Sequence, residues 1–143
     1  MYLLDTNVIS ALRRPDKADP LLREWAASVP VSRFYLSVIS ILEIEHGVLL
    51  KMRKDKKQGA LLRAWVDDEV LPRFEGRILP IDVDVTLQCA KLHVPDPQPE
   101  RDALIAATAL VHKLTVVTRN VNDFLPTGVQ VLNPWEDIRE NEQ

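Results

Sequence analysis

A chain of 143 residues sets the expectation of one domain, able to bury roughly 70% of the surface that its unfolded form would expose. Hydrophobic residues make up 46% and charged residues 27%, an ordinary globular balance, and apolar stretches such as Ala103 to Val111 fall well short of the roughly 18 residues a membrane span needs. Cys89 is the one cysteine, no basic leader precedes the first apolar residues, and the formal net charge is −3; these exclude a disulfide framework, give the cytoplasm as the expected location, and require any nucleic-acid partner to be held by a local basic patch.

Taken in chain order, strand-like and helix-like segments alternate. "YLL" (Tyr2 to Leu4) is a short apolar strand, "ISALRRP" a brief helix stopping before Pro15, and "DPLLREWAASV" a helix with Leu22, Trp25, Ala26 and Val29 at helical spacing. "FYLSVI" is rich in β-branched and aromatic residues and reads as a second strand. "SILEIEHGVLLKMRK" follows as a helix with Leu42, His46, Leu49 and Leu50 on one side; its basic end runs on into "KMRKDKK", Lys51 to Lys57, which is either a nucleic-acid patch or, as charge runs more often are, a solvated face. "ALLRAWVDDEVLPRF" is an amphipathic helix in which Leu62, Val66, Val70 and Phe74 recur every four residues. "RILPID" gives a third strand, "DVTLQCAKLHV" a helix ended by the Pro95 to Pro99 cluster, and "RDALIAATALVHK" a helix with an almost wholly apolar body; "LTVVT" and "VQVLN" complete five strands. Strands separated by helices of this length predict an α/β fold with a parallel sheet covered on both faces, because a parallel connection must cross over the sheet.

In open α/β sheets the ligand crevice lies outside the carboxyl ends of the strands, and Asp5 directly follows the first one. Asp5 also reads as the N-cap of a Thr6 to Arg13 helix, with Thr6 and Asn7 as turn residues. Glu43 stands among Ile41, Leu42 and Ile44, with Gly47 four residues on along the same face; a helical glycine costs up to ~1 kcal/mol and is expected where another element approaches closely. Asp102 opens a hydrophobic helix, a place that the helix dipole also favours and that Glu100 would fill equally well. Three acids at the starts of helices that follow or flank parallel strands can converge at one end of the sheet. Converging carboxylates raise one another's pKa and call for cations, and oxygen-only ligands select Mg²⁺ or Mn²⁺, which suggests phosphodiester chemistry. "VVTRNVNDF" adds Thr118 at a strand end, Asn120 and Asp123, each of which also reads as an ordinary turn or surface residue.

In order and spacing, "LLDTNVIS", Glu43 in "SVISILEIEHGV", "GRILP" before the third strand, "DALIAATAL" and "TVVTRNVNDF" with its closing "NPW" resemble the PIN-domain ribonuclease toxins of bacterial type II toxin–antitoxin systems, the VapC and FitB branch above all. The resemblance runs from Met1 to about Trp135, leaving residues 136–143 as an acidic tail on a single PIN domain. It implies a three-layer α/β/α sandwich around a five-stranded parallel sheet, and an Mg²⁺-dependent endoribonuclease in which Mn²⁺ can substitute. It also implies a homodimer, and an antitoxin whose C-terminal segment covers the active site and which carries the assembly to operator DNA. By that match Asp5, Glu43 and Asp102 are catalytic and hold the metal, Asn120 takes the fourth acidic position, and Thr6, Asn7, Thr118 and Asp123 support the acids or meet substrate. Asn120 departs from the pattern, because many relatives have Asp two residues after the Thr.

Other residues carry no chemistry that can be read. His46, His93 and His112 lack metal-ligand spacing, Ser10, Ser37 and Ser40 have no histidine–acid arrangement, and Trp25, Trp65 and Trp135 are packing residues. The four glycines are ungrouped, so no phosphate-cradling loop exists. Besides the nuclease, two readings stay open: a PIN-fold binding or regulatory protein weakened by Asn120, and a phosphoryl-transfer enzyme built on Asp5, although a dehalogenase-type phosphatase would want a second acid where Asn7 stands.

Overall fold

A computed structural model describes residues 1–137. Its elements are β1 (Tyr2–Leu4), α1 (Thr6–Ala11), α2 (Pro20–Ser28), β2 (Phe34–Ser37), α3 (Val38–Lys54), α4 (Lys56–Trp65), α5 (Leu71–Arg73), β3 (Ile78–Leu79), α6 (Val83–Leu92), α7 (Glu100–His112), β4 (Thr115–Val117), α8 (Val121–Phe124) and β5 (Val131–Leu132). All strand pairs are parallel and the order is β3-β2-β1-β4-β5. In register, Leu3 lies beside Tyr35 and Val116, and Leu4 beside Val117.

Alternation along the strands sends successive side chains to opposite faces. Leu4, Leu36 and Val117 join a core with Val8, Ile9, Leu22, Ile44, Val48, Val70 and Phe74, against which Trp25, Trp65 and Trp135 also pack. Leu3 and Val116 face the other way, onto Ile105, Ala106 and Ala109 of α7 and Phe124 of α8. Val85 and Cys89 fix α6 against Ala103 and Ala107 of α7. Helices therefore cover both faces of a five-stranded sheet, the α/β/α sandwich anticipated from the sequence.

Four readings shift. "FYLSVI" reads as strand throughout, but the strand ends at Ser37, whose hydroxyl accepts from the Ile39 N–H at 3.0 Å and starts α3 at Val38. The stripe of Leu42, Leu49 and Leu50 faces outward, each about half exposed, while Ser40, Ile44 and Val48 turn inward. Because α3 is apolar on more than one side, its period alone does not select the buried face; packing of Ile44 and Val48 into the core with Leu4 and Leu36 does. The long amphipathic helix is broken by a π-helical turn at Val66–Val70, in which the Leu71 N–H reaches the Val66 carbonyl. Pro72 has no N–H to continue an α-helical ladder, and the wider turn keeps Val66, Val70 and Phe74 on one side despite their four-residue spacing. Finally, a Cβ at Gly47 would meet nothing within 4 Å; the close approach is at Gly59, where a Cβ would stand 2.6 Å from Met52 Cα. Of the acidic tail, Glu136 and Asp137 are exposed, and residues 138–143 with Arg139 lie outside the described residues.

Candidate active site

From β1 the chain builds outward to β2 and β3, then returns to the other side of β1 for β4 and β5, so the winding direction reverses between β1 and β4. Such switch points leave a crevice at the carboxyl ends of the strands. Asp5 and Thr118 stand there, one residue past each strand, held together by the Asp5 N–H to the Val117 carbonyl at 2.9 Å.

Asp5 is 7% exposed, and its carboxylate is tightly held. Oδ1 accepts from the Thr6 N–H at 2.8 Å; Oδ2 accepts from the Thr118 hydroxyl at 2.8 Å and from the Asn7 amide at 3.3 Å. Three of the roughly four lone-pair positions of a carboxylate are thereby used by the protein. The cap reading and the charged-site reading of Asp5 thus coexist in one side chain. Thr118, fully buried, in turn accepts from the Asn7 amide at 3.3 Å and the Asn120 N–H at 3.0 Å, while Asn7 Oδ1 accepts from the Arg119 N–H at 3.4 Å. The sequence-adjacent Thr6 reaches across to α3: its hydroxyl donates to Glu43 Oε1 at 2.8 Å and shares a 3.0 Å hydrogen bond with the Ser40 hydroxyl.

The acids feel one another. Burial raises the pKa of Asp5, the Thr118 and Thr6 hydrogen bonds oppose this, and the charges of Glu43 and Asp123 add to the rise. Asp102, at the first turn of α7, is pushed up to about 6, by burial first and then by Asp5, Asp123 and Glu43. Asp5, Glu43, Asp102 and Asp123 are thus brought into one electrostatic cluster, and Thr6, Asn7 and Thr118 into its hydrogen-bond frame. Asn120 is exposed at the start of α8 and joins that frame through its backbone N–H, its side chain making no capping bond.

Two participants carry no mark in the sequence. Arg101 lies 3.6 Å from Glu43 Oε2 as a half-exposed ion pair, and Ser40, which belongs to no triad, supports Thr6. Neither has a local signal, since the partners are 58 residues away for Arg101 and 34 for Ser40 by numbering. A larger apolar cleft of about 550 Å³, walled by Leu12, Trp65, Val70 and Phe74, contains none of these acids.

Among the described residues no three of His, Cys, Asp and Glu are gathered closely enough to hold an ion by themselves. The donor set nevertheless suits a hard cation. Mg²⁺ keeps several waters and needs only one or two carboxylates. Among the described residues neither Asp5 nor Asp102 has a cationic partner, and both are pushed toward protonation, by burial first and then by the neighbouring carboxylates. A divalent ion relieves that repulsion.

Comparison with known proteins gives a consistent picture. The model of the PIN domain matches residues 2–125. Toxin FitB of Neisseria gonorrhoeae is 39% identical over 143 residues, covering 96% of this chain and 100% of that protein. A VapC ribonuclease of Sinorhizobium fredii, Y4jK, is 35% identical over 143 residues, with 95% and 99% covered. Among solved structures, FitAcB from Neisseria gonorrhoeae superposes with a TM-score of 0.87 at 37% identity, over 96% of this chain and 100% of that one. FitAB bound to a DNA fragment matches with the same TM-score at 36% identity, over 96% and 97%. This chain belongs to the PIN-domain family, with Toxin FitB and VapC ribonucleases among its relatives.

Proposed function

We propose that the chain is the toxin of a toxin–antitoxin pair, an endoribonuclease that depends on Mg²⁺ or Mn²⁺. The observation that carries this reading is the cluster of mutually repelling carboxylates at the switch point, with relatives named as ribonucleases supporting the substrate class. Asp5 and Asp102 would hold the ion, with Glu43 beside them and Asp123 and Asn120 reaching it through water. When bound, such an ion supplies a water acidic enough to attack a phosphodiester near neutral pH and screens the charge that develops on phosphate.

The chain's own residues orient and tune these acids. Thr118 and the Thr6 N–H fix the Asp5 carboxylate in one rotamer and favour its charged form, against the burial that disfavours it. The Thr6 hydroxyl aims Glu43, and Arg101 partly balances its charge at the mouth of the crevice. Asp102, with a pKa of about 6, is close to the range in which a group exchanges protons at working pH, and a bound cation would favour its charged form.

We further propose a homodimer, and an antitoxin that places a basic side chain in the acid cluster. Arginine suits carboxylate oxygens best because its fork bonds bidentately. The related FitAB, solved on DNA, supports an assembly that reaches operator DNA through the antitoxin.

The test is cleavage of single-stranded RNA by the purified chain with Mg²⁺ or Mn²⁺ and with excess EDTA. Cleavage should require the ion, and Asp5→Asn should lower it by at least the roughly 100-fold that loss of an outer supporting partner can cost a metal site. Equal cleavage in EDTA would refute the reading; binding of RNA without cleavage would instead make the chain a PIN-fold binding protein.

A further inference from the structure

The proposed chemistry leaves the basic run at the end of α3 unused, yet two of its lysines line the same groove as Glu43. This groove, about 320 Å³, has Thr6 and Glu43 at one end, Gly47 along its side, and Lys51 and Lys54 at the other end, with Trp65 on its wall. Glu43, Gly47, Lys51 and Lys54 follow at intervals of four, four and three residues, the spacing that stacks side chains on one helical face. At the α-helical rise the lysines lie roughly 12 and 17 Å from Glu43 along the axis. That is too far to share the phosphate held by the acids and suited to phosphates further along the strand. Both lysines are exposed, and among the described residues neither is in an ion pair. Gly47 is not required by packing, since a Cβ there meets nothing within 4 Å; its effect is to leave the path between the acidic and basic ends free of a side chain.

We propose that this groove carries single-stranded RNA on one side of the bond being cut, with Lys51 and Lys54 as positioning residues for the neighbouring phosphates. The inference rests on the nuclease reading above and extends it to the route of the strand. A groove with positive charge at one end, and Trp65 with Ile44, Val48, Leu50 and Leu62 lining it, offers charge for a backbone to track and an apolar and aromatic surface for unpaired bases, as single-strand channels do. The net charge of −3 makes such a local feature necessary, because the chain as a whole repels the substrate.

The experiment uses the non-cleaving Asp5→Asn chain and a fluorescein-labelled single-stranded RNA of about ten nucleotides, with binding followed by anisotropy over a salt series. Lys51→Glu with Lys54→Glu should weaken binding by about tenfold or more and lower the salt slope by about 0.7 for each phosphate that the protein no longer neutralises. Lys56→Glu with Lys57→Glu changes the net charge identically but lies off the groove, and should move neither quantity appreciably. In the active chain, Lys51→Ala with Lys54→Ala should raise KM with little change in kcat, and Gly47→Leu should do the same without altering charge. Equal losses in both lysine pairs would overturn the proposal, reducing it to overall charge. Unchanged RNA binding in the groove variants, with a shift in sedimentation instead, would overturn it in favour of an interface between copies. If the wild type cuts RNA and the groove variants cut it identically, this inference alone fails; if the wild type neither binds nor cuts RNA with either ion, the nuclease reading fails and takes this one with it.

Discussion

Asp5 caps α1 and charges the crevice with the same carboxylate, and the two roles separate on substitution. Asparagine keeps an oxygen for the Thr6 N–H but gives up the negative charge, so Asp5→Asn should melt within a few degrees of the wild type while cleavage is lost. A melt lowered far beyond that would mean that the carboxylate is chiefly structural. At the fourth position the choice lies between Asn120 and Asp123. The sequence resemblance puts Asn120 at the expected fourth acidic position and Asp123 behind it; in the fold, Asp123 is the one whose charge reaches both Asp5 and Asp102. We therefore expect Asp123→Asn to lower the Asp102 pKa from about 6, read by carboxyl NMR titration, and to raise the metal concentration for half-maximal cleavage by about tenfold. Asn120→Asp should lower that concentration, by adding charge beside the same crevice. If Asp123→Asn moves neither quantity and Asn120→Asp still sharpens metal use, Asn120 is the position that meets the ion.

The α3–α4 pair moves the close approach expected at Gly47 of α3 to Gly59 of α4. A Cβ on Gly59 would stand 2.6 and 2.8 Å from the backbone Cα and N of Met52, where α4 folds back along α3, and backbone cannot step aside. Gly59→Ala should therefore cost about 1–3 kcal/mol, the usual penalty of overpacking. Gly47→Ala meets open space and should gain up to ~1 kcal/mol of helix propensity. Urea denaturation of the two variants decides this; effects of the same sign would contradict the geometry. The segments themselves are legible in the sequence, because apolar runs of period two and helices of period near four are local signals, and the parallel sheet follows from their alternation. The buried face of α3 and the π turn before Pro72 are not. The first depends on which side of α3 meets the core under the sheet, and the second on a missing N–H whose consequence is spread over five residues, Val66 to Val70. The acids can be marked as strand-end and helix-start charges, but the bonds that aim them, Thr118 to Asp5 and Thr6 to Glu43, span 113 and 37 residues and exist only once the sheet has closed.

On the scale of the whole molecule, gathering four carboxylates at the carboxyl ends of the strands costs the native state desolvation first and mutual repulsion second. Asp102 has a folded pKa of about 6 against an ordinary value of 3.8, and Asp5 is raised as well. A raised acid stabilises the fold only while protonated: its contribution is complete below the unfolded pKa and is lost as pH rises through the folded one. In EDTA the melting temperature should therefore fall between about pH 4 and pH 7 by more in the wild type than in Asp102→Asn. The difference between the two chains is the quantity to read, because Glu45, whose pKa Arg63 lowers, slopes the opposite way in both. A cation that binds only the folded chain adds about 2.7 kcal/mol at a hundred times its Kd, several degrees for a domain of this size. Protons compete for the same oxygens, so Mg²⁺ should raise the melting temperature clearly at pH 8 and far less at pH 5, and this pH dependence should shrink in Asp102→Asn. A Mg²⁺ effect that is equal at both pH values, and equal in the variant, would show that the ion acts somewhere other than at these carboxylates.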